Sequence, residues 1–433
     1  MSTHPLHISS GYVSLPAARP AVEGYSDRLT LTGAFLFATA VLVFASGFKE
    51  LRPEIGGLML HPYLIPVGLI FPFMFISRLQ QFPVKPLAGM TVFLAIYVAA
   101  TLNGEGGGLG EIFKIACAGM VIVGSALLVQ RHSDFVAGAV GLNVAVAILA
   151  VKGLDEADRL GFQGVDAANK NAYSLYALPA ILLAGFIILR MPQTRRIWKI
   201  LLGFCAIAAL IGIFMSGNRS GYLGAVLIAM MLFWDRKIRG LLLVLAIGGI
   251  VAFWILNFGS TVILQRRLEQ TREGTESDRL RKDLLLTCVQ VGIQNPVLGV
   301  SPQDLPFVLG RKTQHGIADP HNVYGQIIGG CGLLCFAAFM YTGVTLWKWA
   351  RPIKNPEADQ QYADIAKLLR MLLFLYAVRG FFSREILYSA GFCLALGMVI
   401  GIVAVQQRFK LRPAMDKQGK RFPPATLLPV LGT

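Results

Sequence analysis

Blocks of apolar residues, each about as long as a membrane is thick, recur along most of the chain. A helix needs about 20 such residues to cross roughly 30 Å of hydrocarbon, where it must satisfy its own backbone polar groups. The composition agrees, since 55% of the residues are apolar and only 15% are charged, against about 25% charged in soluble domains. The sequence therefore predicts an all-α polytopic membrane protein and excludes a soluble globular domain.

Twelve of these blocks have the length of a membrane span and predict about 12 transmembrane helices. They cover residues 30–48, 58–77, 86–102, 111–130, 135–151, 172–190, 197–215, 220–235, 239–258, 323–346, 365–382 and 386–405.

The net charge of +16 does not indicate nucleic acid binding, because the Lys and Arg residues lie mostly in short loops between apolar blocks. Short loops rich in these residues stay in the cytoplasm, and they alternate here with poorer loops such as Asn103–Gly110. The alternation predicts both termini in the cytoplasm and the long segment Gly259–Pro320 on the far side, which is the periplasm in a Gram-negative cell. The predicted parts are a cytoplasmic tail 1–29, nine spans within 30–258, a large periplasmic segment 259–321, three spans within 322–406 and a basic cytoplasmic tail 407–433.

The periplasmic segment is predicted to contain an amphipathic helix from Ser277 to about Gln294. Ser277 can cap this helix, which must end before Pro296. Such a helix lies on the outer membrane surface or caps a cavity between spans. Its polar stripe is Arg279, Asp283, Thr287, Gln290 and Gln294, beside an apolar stripe of Leu284, Cys288 and Val291.

Arg219 lies in a short break between two apolar blocks, Ser216–Gly221. Glycines there let the chain turn and let a ligand approach the backbone. An arginine on a tight outer turn can simply snorkel to the surface, but orientation rules disfavour a lone arginine on that side. We therefore favour a functional role for Arg219.

His321 stands in the sequence Asp319-Pro-His-Asn322, directly before the tenth span. An imidazole titrates near neutral pH and can exchange protons, and Asp319 or Asn322 could orient its ring. The alternative is an interfacial histidine bonded to a carbonyl. His315 has no orienting carboxylate in its loop, and we assign it no role.

Four further arginines are predicted on the outer side of the membrane, where Arg219 and His321 also lie. Arg279 and Arg281 are in the first turns of the outer helix, where the helix N-terminus also attracts anions, so they are candidates for phosphate binding. Solvated charges on a helix face are the alternative. Arg379 and Arg384, at the outer ends of the last two spans, could add to one positive field. The outer segments contain no nucleotide-binding motif and no metal-ligand set, so we expect neither a cofactor nor a metal.

Four segments, in this order, resemble the O-antigen ligase family, within the wider group of O-antigen polymerases and related lipid-linked glycan transferases. They are Asn169-Lys-Asn171-Ala, Ser216-Gly-Asn-Arg219-Ser-Gly, Asp278-Arg279-Leu running into Asn295-Pro-Val-Leu-Gly299-Val, and Pro320-His321-Asn322-Val-Tyr before a glycine-rich span. The resemblance covers residues 160–345 in detail. One departure is Ser301, where the family's glycine is expected after Gly299-Val.

The resemblance implies a GT-C-like, inverting, metal-independent glycosyltransferase. It would move O-antigen polysaccharide from undecaprenyl pyrophosphate to the lipid A–core oligosaccharide at the periplasmic face of the inner membrane. It implies His321 as the catalytic base, and Arg219 and Arg279 as ligands of the donor pyrophosphate. The secondary candidates are Arg281, Asn322, Asp319 and Asn171.

Two alternatives stay open at this point. One is an O-antigen polymerase that uses the same lipid-linked donor but a second lipid-linked glycan as acceptor. The other, of a different class, is a multi-span glycan flippase. The large outer segment and the charged residues on one face argue against a flippase, since transporters usually place ionisable residues near the membrane midplane.

Overall fold

The helices of the protein follow the apolar blocks of its sequence. The computed structural model describes residues 84–105, 108–160, 172–192, 194–216, 218–233, 275–313, 318–350 and 360–411, with short pieces at 33–36, 38–39, 54–55 and 58–59. Its helices are α1 (Val84–Leu102), α2 (Leu109–Leu128), α3 (His132–Leu160), α4 (Ala172–Arg190), α5 (Arg196–Met215), α6 (Arg219–Phe233), α7 (Thr275–Gln294), α8 (Leu305–Thr313), α9 (Cys331–Trp349), α10 (Gln360–Gly380) and α11 (Ala390–Leu411). A helical turn (Val323–Gly325) and a π-helical segment (Gln326–Gly330) precede α9, and a 3-10 turn (Arg384–Leu387) precedes α11.

Five helical stretches in the described residues are long and apolar enough to cross a membrane. They are Leu109–Leu128, His132–Val151, Tyr173–Arg190, Arg196–Met215 and Val323–Trp349, and three shorter apolar helices are Ala88–Leu102, Ser220–Phe233 and Ala390–Val405. Each lies on a predicted span, which agrees with a polytopic helical membrane protein. The predicted span 239–258 and most of 30–48 and 58–77 lie outside the described residues.

Helix α4 lies at the centre of the bundle, in contact with α3, α5, α6, α10 and α11. Pro179 in its middle has no N–H group, so the carbonyl of Leu175 loses its helical partner. That carbonyl accepts a hydrogen bond from Ser389 Oγ at 3.3 Å. Asn143 of α3 donates to the Ala180 carbonyl at 3.0 Å. Side-chain hydrogen bonds thus join the central helix to α3 and to the residue that precedes α11, and they satisfy backbone carbonyls that are buried.

Helix α5 lies at the edge of the described bundle, with one side facing outward. Its buried face, which includes Leu202, Ala209 and Ile213, packs toward α3 and α4. The opposite face exposes a continuous apolar stripe of Ile197, Ile200, Phe204, Ile207 and Ile211. An apolar stripe of this kind suits contact with lipid tails rather than with water.

The predicted span 323–346 is not one continuous α-helix, which corrects the sequence-based expectation. Gly332 has a φ of +84° and breaks the helical geometry. The turn at residues 295–299 is packed against this break, because Leu334 N–H donates to the Pro296 carbonyl and Val300 N–H to the Gly329 carbonyl, both at 3.2 Å. A Cβ at position 332 would lie 2.8 Å from the Gly299 nitrogen, so the close approach requires glycine.

Smaller corrections concern helix boundaries. Helix α7 begins at Thr275, so Ser277 lies inside it and is not its cap, whereas its end at Gln294 is as predicted. Helix α8 was not predicted. The span predicted at 386–405 begins as a 3-10 turn, and α11 starts only at Ala390. The described structure is helical as predicted, apart from one pair of two-residue strands, β1 (Glu54–Ile55) and β2 (Leu58–Met59), which are antiparallel.

Candidate active site

The loop before the π-helical segment presents His321 on an unusual backbone. His321 is exposed and has a φ of +55°, a left-handed conformation that residues with a Cβ seldom adopt. Its backbone N–H donates to Asp319 Oδ1 at 3.0 Å. The other carboxylate oxygen, Oδ2, forms an ion pair with Arg384 Nη2 at 3.0 Å. Asp319 and Arg384 therefore fix the backbone that carries the imidazole.

The side-chain amide of Asn322 makes two hydrogen bonds, one through its oxygen and one through its nitrogen. The side chain is buried, accepts a hydrogen bond from Gly325 N–H at 2.5 Å and donates to the Pro320 carbonyl at 2.8 Å. It is the N-cap of the following helical turn. In the described structure, therefore, Asp319 and Asn322 hold the backbone on either side of His321 instead of orienting its ring.

The break that contains Arg219 is a helix-to-helix turn, as predicted. Helix α5 ends at Met215 and α6 begins at Arg219. Asn218 caps α6, since its Oδ1 accepts hydrogen bonds from Ser220 N–H at 3.1 Å and from Ser220 Oγ at 2.7 Å. Asn218 is buried, and its Nδ2 donates to Ser174 Oγ of α4 at 2.8 Å. The first turn of α6 is thereby fixed to the central helix, although the Arg219 side chain itself lies outside what the structure describes.

The C-terminal turn of α10 lies between these two segments. On one side, Arg379 Nη2 donates to the same Ser174 Oγ at 2.9 Å. On the other side, Tyr324 of the His321 segment donates to the Ala377 carbonyl at 2.6 Å. A Cβ at Gly380 would lie 2.7 Å from Val323 Cγ1, so the Val323 side chain packs closely on the Gly380 backbone. Through this turn the structure brings the Arg219 and His321 segments together.

Helix α7, which carries Arg279, packs on the same region. Its predicted apolar stripe is buried and joins α8 residues and Ala318 in a small core of Leu284, Cys288, Val291, Leu305, Leu309 and Ala318. Gly292 packs on Ile328 of the π-helical segment. Asp283 and Arg281 are exposed, so the predicted amphipathic face is confirmed. The Arg279 side chain, like Asn171 and His315, lies outside the described residues.

Burial on α7 also determines the reactivity of the Cys288 thiol. Cys288 is buried against the π-helical segment, and this burial raises the pKa of its thiol to about 12. At neutral pH the group therefore stays protonated and unreactive. Cys288 therefore serves as a packing residue of the apolar stripe on α7.

A polar cluster behind the His321 segment was not predicted from the sequence. Tyr388 Oη donates to Glu111 Oε2 at 2.8 Å and lies 2.5 Å from Tyr97 Oη. Gln326 Nε2 donates to Tyr388 Oη at 3.3 Å, and Glu111 also pairs with Lys114 at 2.7 Å. Glu111, a lone carboxylate at the start of an apolar block, was the signal available in the sequence.

An apolar cavity of about 390 Å³ lies between α1, α2, α9, α10 and α11. Its lining is almost entirely hydrophobic and includes Phe93, Ile122, Phe339, Leu373 and Tyr324. Since Tyr324 is three residues from His321, the cavity adjoins the His321 segment. A space of this chemistry suits a hydrocarbon chain.

A comparison with protein families finds a match to the part of the chain that contains the Arg219 and His321 segments. The family model described as O-antigen ligase matches residues 204–340. Residues 204–340 are similar to the O-antigen ligase family. The match covers about a third of the chain and contains Arg219, Arg279 and His321. It confirms the resemblance and implies a glycosyltransferase-like enzyme with lipid-linked polysaccharide substrates. A search of curated proteins found no match to this chain.

Proposed function

We propose that the protein is an O-antigen ligase, an inverting and metal-independent glycosyltransferase. It moves O-antigen polysaccharide from undecaprenyl pyrophosphate to the lipid A–core oligosaccharide in lipopolysaccharide biosynthesis. The observation that carries the proposal is the O-antigen ligase region 204–340. Its Arg219 segment is joined through Ser174 to the C-terminal turn of α10, and its His321 segment contacts that turn directly. The apolar cavity beside Tyr324 gives independent support, because both substrates are lipids.

In this proposal the arginines and the histidine have separate roles in the reaction. An acceptor hydroxyl oxygen attacks the anomeric carbon, the bond from that carbon to the phosphate oxygen breaks, and undecaprenyl pyrophosphate leaves with the bonding electrons. Arg219 and Arg279 offset the negative charge that develops on the leaving group. His321 takes the hydroxyl proton. Arg281 and Asn171 are secondary donor contacts in this proposal, whereas Asp319 and Asn322 support the His321 backbone.

The proposal includes a membrane arrangement. About twelve spans, in a GT-C-like fold, place both termini in the cytoplasm and the active site in the periplasm, with the inner membrane as the location. The parts are the tail 1–29, spans within 30–258, the periplasmic segment 259–321, spans within 322–406 and the basic tail 407–433. Support comes from the alternation of basic loops and from the apolar helices found on the predicted spans.

Reconstitution of the purified protein with both lipid-linked substrates tests the function. We expect polysaccharide to appear on lipid A–core, with undecaprenyl pyrophosphate released, in the presence of excess EDTA. Longer chains on undecaprenyl pyrophosphate would identify a polymerase instead. Movement of intact donor across the bilayer without any new glycosidic bond would identify a flippase. Loss of transfer in EDTA that is restored by magnesium or manganese would contradict the metal-independent mechanism.

A further inference from the structure

Arg379, in the last turn of α10, is buried without a counterion among the described residues. The side chain is 0% exposed. Its Nη2 donates to Ser174 Oγ at 2.9 Å, whereas Nε and Nη1 have no hydrogen-bond partner in the part of the chain that the structure describes. No described carboxylate pairs with it. One neutral hydroxyl is thus its side-chain partner.

This arrangement is unfavourable unless something else binds the guanidinium. Buried charges in proteins are normally paired and fully hydrogen-bonded, and a buried cation that lacks its partner destabilises the fold. The negative end of α10 stabilises a cation in its last turn, but it does not fill the two free N–H groups. The unpaired donors therefore point to an anionic ligand.

The position of Arg379 indicates which anion. Ser174 Oγ accepts from both Arg379 and Asn218, the residue that caps the helix beginning at Arg219. The adjacent Gly380 packs against Val323 and Tyr324, which follow His321 in the chain. Arg379 thus lies between the two segments to which the proposed function assigns donor binding and proton transfer.

We propose that Arg379 is a further phosphate-binding residue, whose free Nε and Nη1 groups bind oxygens of the donor pyrophosphate when the donor occupies the site. The inference rests on the proposed function. It assigns to α10, outside the matched family region 204–340, a direct part in holding the leaving group. Guanidinium groups suit phosphate oxygens because several N–H donors are fixed in one plane.

A binding experiment on the purified full-length protein tests this. The probes are geranylgeranyl pyrophosphate and geranylgeraniol, which differ only in the pyrophosphate group, with phosphatidylglycerol as a competitor. We expect wild type to prefer the pyrophosphate lipid, and Arg379→Met to weaken its binding at least tenfold while geranylgeraniol binding is unchanged. Without ligand, Arg379→Met should unfold at the same temperature as wild type or higher, because an uncompensated buried charge has been removed.

Arg370 provides the matched control. It lies in the same helix, about 13 Å away along the axis, and its guanidinium packs on the Trp347 ring at 5.5 Å. Arg370→Met should leave the preference for the pyrophosphate lipid unchanged. Arg379→Lys keeps the charge with fewer donors, so it should fold even if Arg379→Met does not, and should bind the pyrophosphate lipid more weakly than wild type.

The outcomes separate the inference from the proposed function. Unchanged pyrophosphate binding in both Arg379 variants overturns the inference, and the proposed donor site still stands if Arg219→Lys loses binding. Equal loss of both probes together with a lower unfolding temperature means that Arg379 has only a structural role. Competition by phosphatidylglycerol as strong as by the pyrophosphate lipid assigns the site to headgroup phosphates. If wild type shows no preference between the probes, both proposals are wrong.

Discussion

His321 combines an exposed imidazole with a left-handed backbone, a conformation that costs about 1–2 kcal/mol for a residue with a Cβ. Glycine would adopt the same backbone without that cost. We therefore expect His321→Gly to unfold at the same temperature as wild type or higher, while glycan transfer falls roughly 10²–10⁴-fold through loss of the base. His321→Ala should lose as much transfer without the gain in stability.

Transfer, donor binding and unfolding temperature are measured for these variants in one membrane preparation. The control is His315→Ala, which should remain active because that histidine is not assigned a role. Donor binding should change little in the His321 variants, since the arginines hold the pyrophosphate. Persistent transfer by either variant, or a defect confined to donor binding, would show that His321 is not the base.

The arginines give a second prediction at this scale. Lysine at position 219 or 279 keeps the charge but loses the paired hydrogen bonds of a guanidinium. Arg219→Lys and Arg279→Lys should therefore lose most transfer activity while inserting and purifying normally. Arg281→Lys is the comparison on the same helix, where the exposed side chain predicts a smaller loss. Transfer near the wild-type rate in Arg219→Lys would identify that arginine as a snorkelling charge.

Among the elements, the turn between α7 and α8 contains a serine where glycine is expected from the family. Ser301 is buried and has a φ of +75°, so the backbone keeps the conformation that favours glycine although the side chain has changed. Ser301→Gly should stabilise the protein by about 1 kcal/mol. Unfolding temperature in detergent measures this. Ser301→Ala removes the same hydroxyl but keeps the Cβ, so the idea is wrong if the glycine variant is no more stable than the alanine variant.

The same region shows why some elements were predictable and others were not. Helix α7 could be predicted from its own stripes and from Pro296, because periodicity and a helix stop are local signals. The break at Gly332 could not, since it depends on the approach of the turn at residues 295–299. Helix α8 was missed because its nine residues are too short to show a clear period.

For the whole molecule, orientation in the membrane is the property to test. Gln303→Cys, in a background without other cysteines, should react with a membrane-impermeant thiol reagent in intact spheroplasts, because this residue lies in the proposed periplasmic segment. Asp235→Cys should react only after lysis. A background that retains Cys288 alone should stay unlabelled at neutral pH in the folded protein, since burial raises the pKa of that thiol to about 12. The reverse pattern for Gln303 and Asp235 would overturn the assigned orientation.

At this scale the sequence suggests candidate residues for the site, but their surroundings could not be predicted from it. Arg219, Arg279 and His321 stand in short recognisable segments. Arg379 was noted in the sequence as part of an outward positive field, but the structure buries it against Ser174, 205 positions away in the chain. The contact between Tyr97 and Tyr388 spans 291 positions. Contacts at such separations leave no local pattern in a single sequence.

The lipid-facing stripe of α5 has a consequence for how the enzyme should be handled. The helix has 20 residues, or about 30 Å of length, with Arg195 and Arg196 at one end and the Asn218 cap of α6 just beyond the other. In the proposed orientation, the arginines stay at the cytoplasmic headgroups, so bilayer thickness sets the depth of the Arg219 turn. Hydrophobic mismatch is relieved by tilting or by local changes in the bilayer. The activity should therefore depend on the acyl-chain length of the lipids, which must be controlled in an assay as ionic strength is for a soluble enzyme.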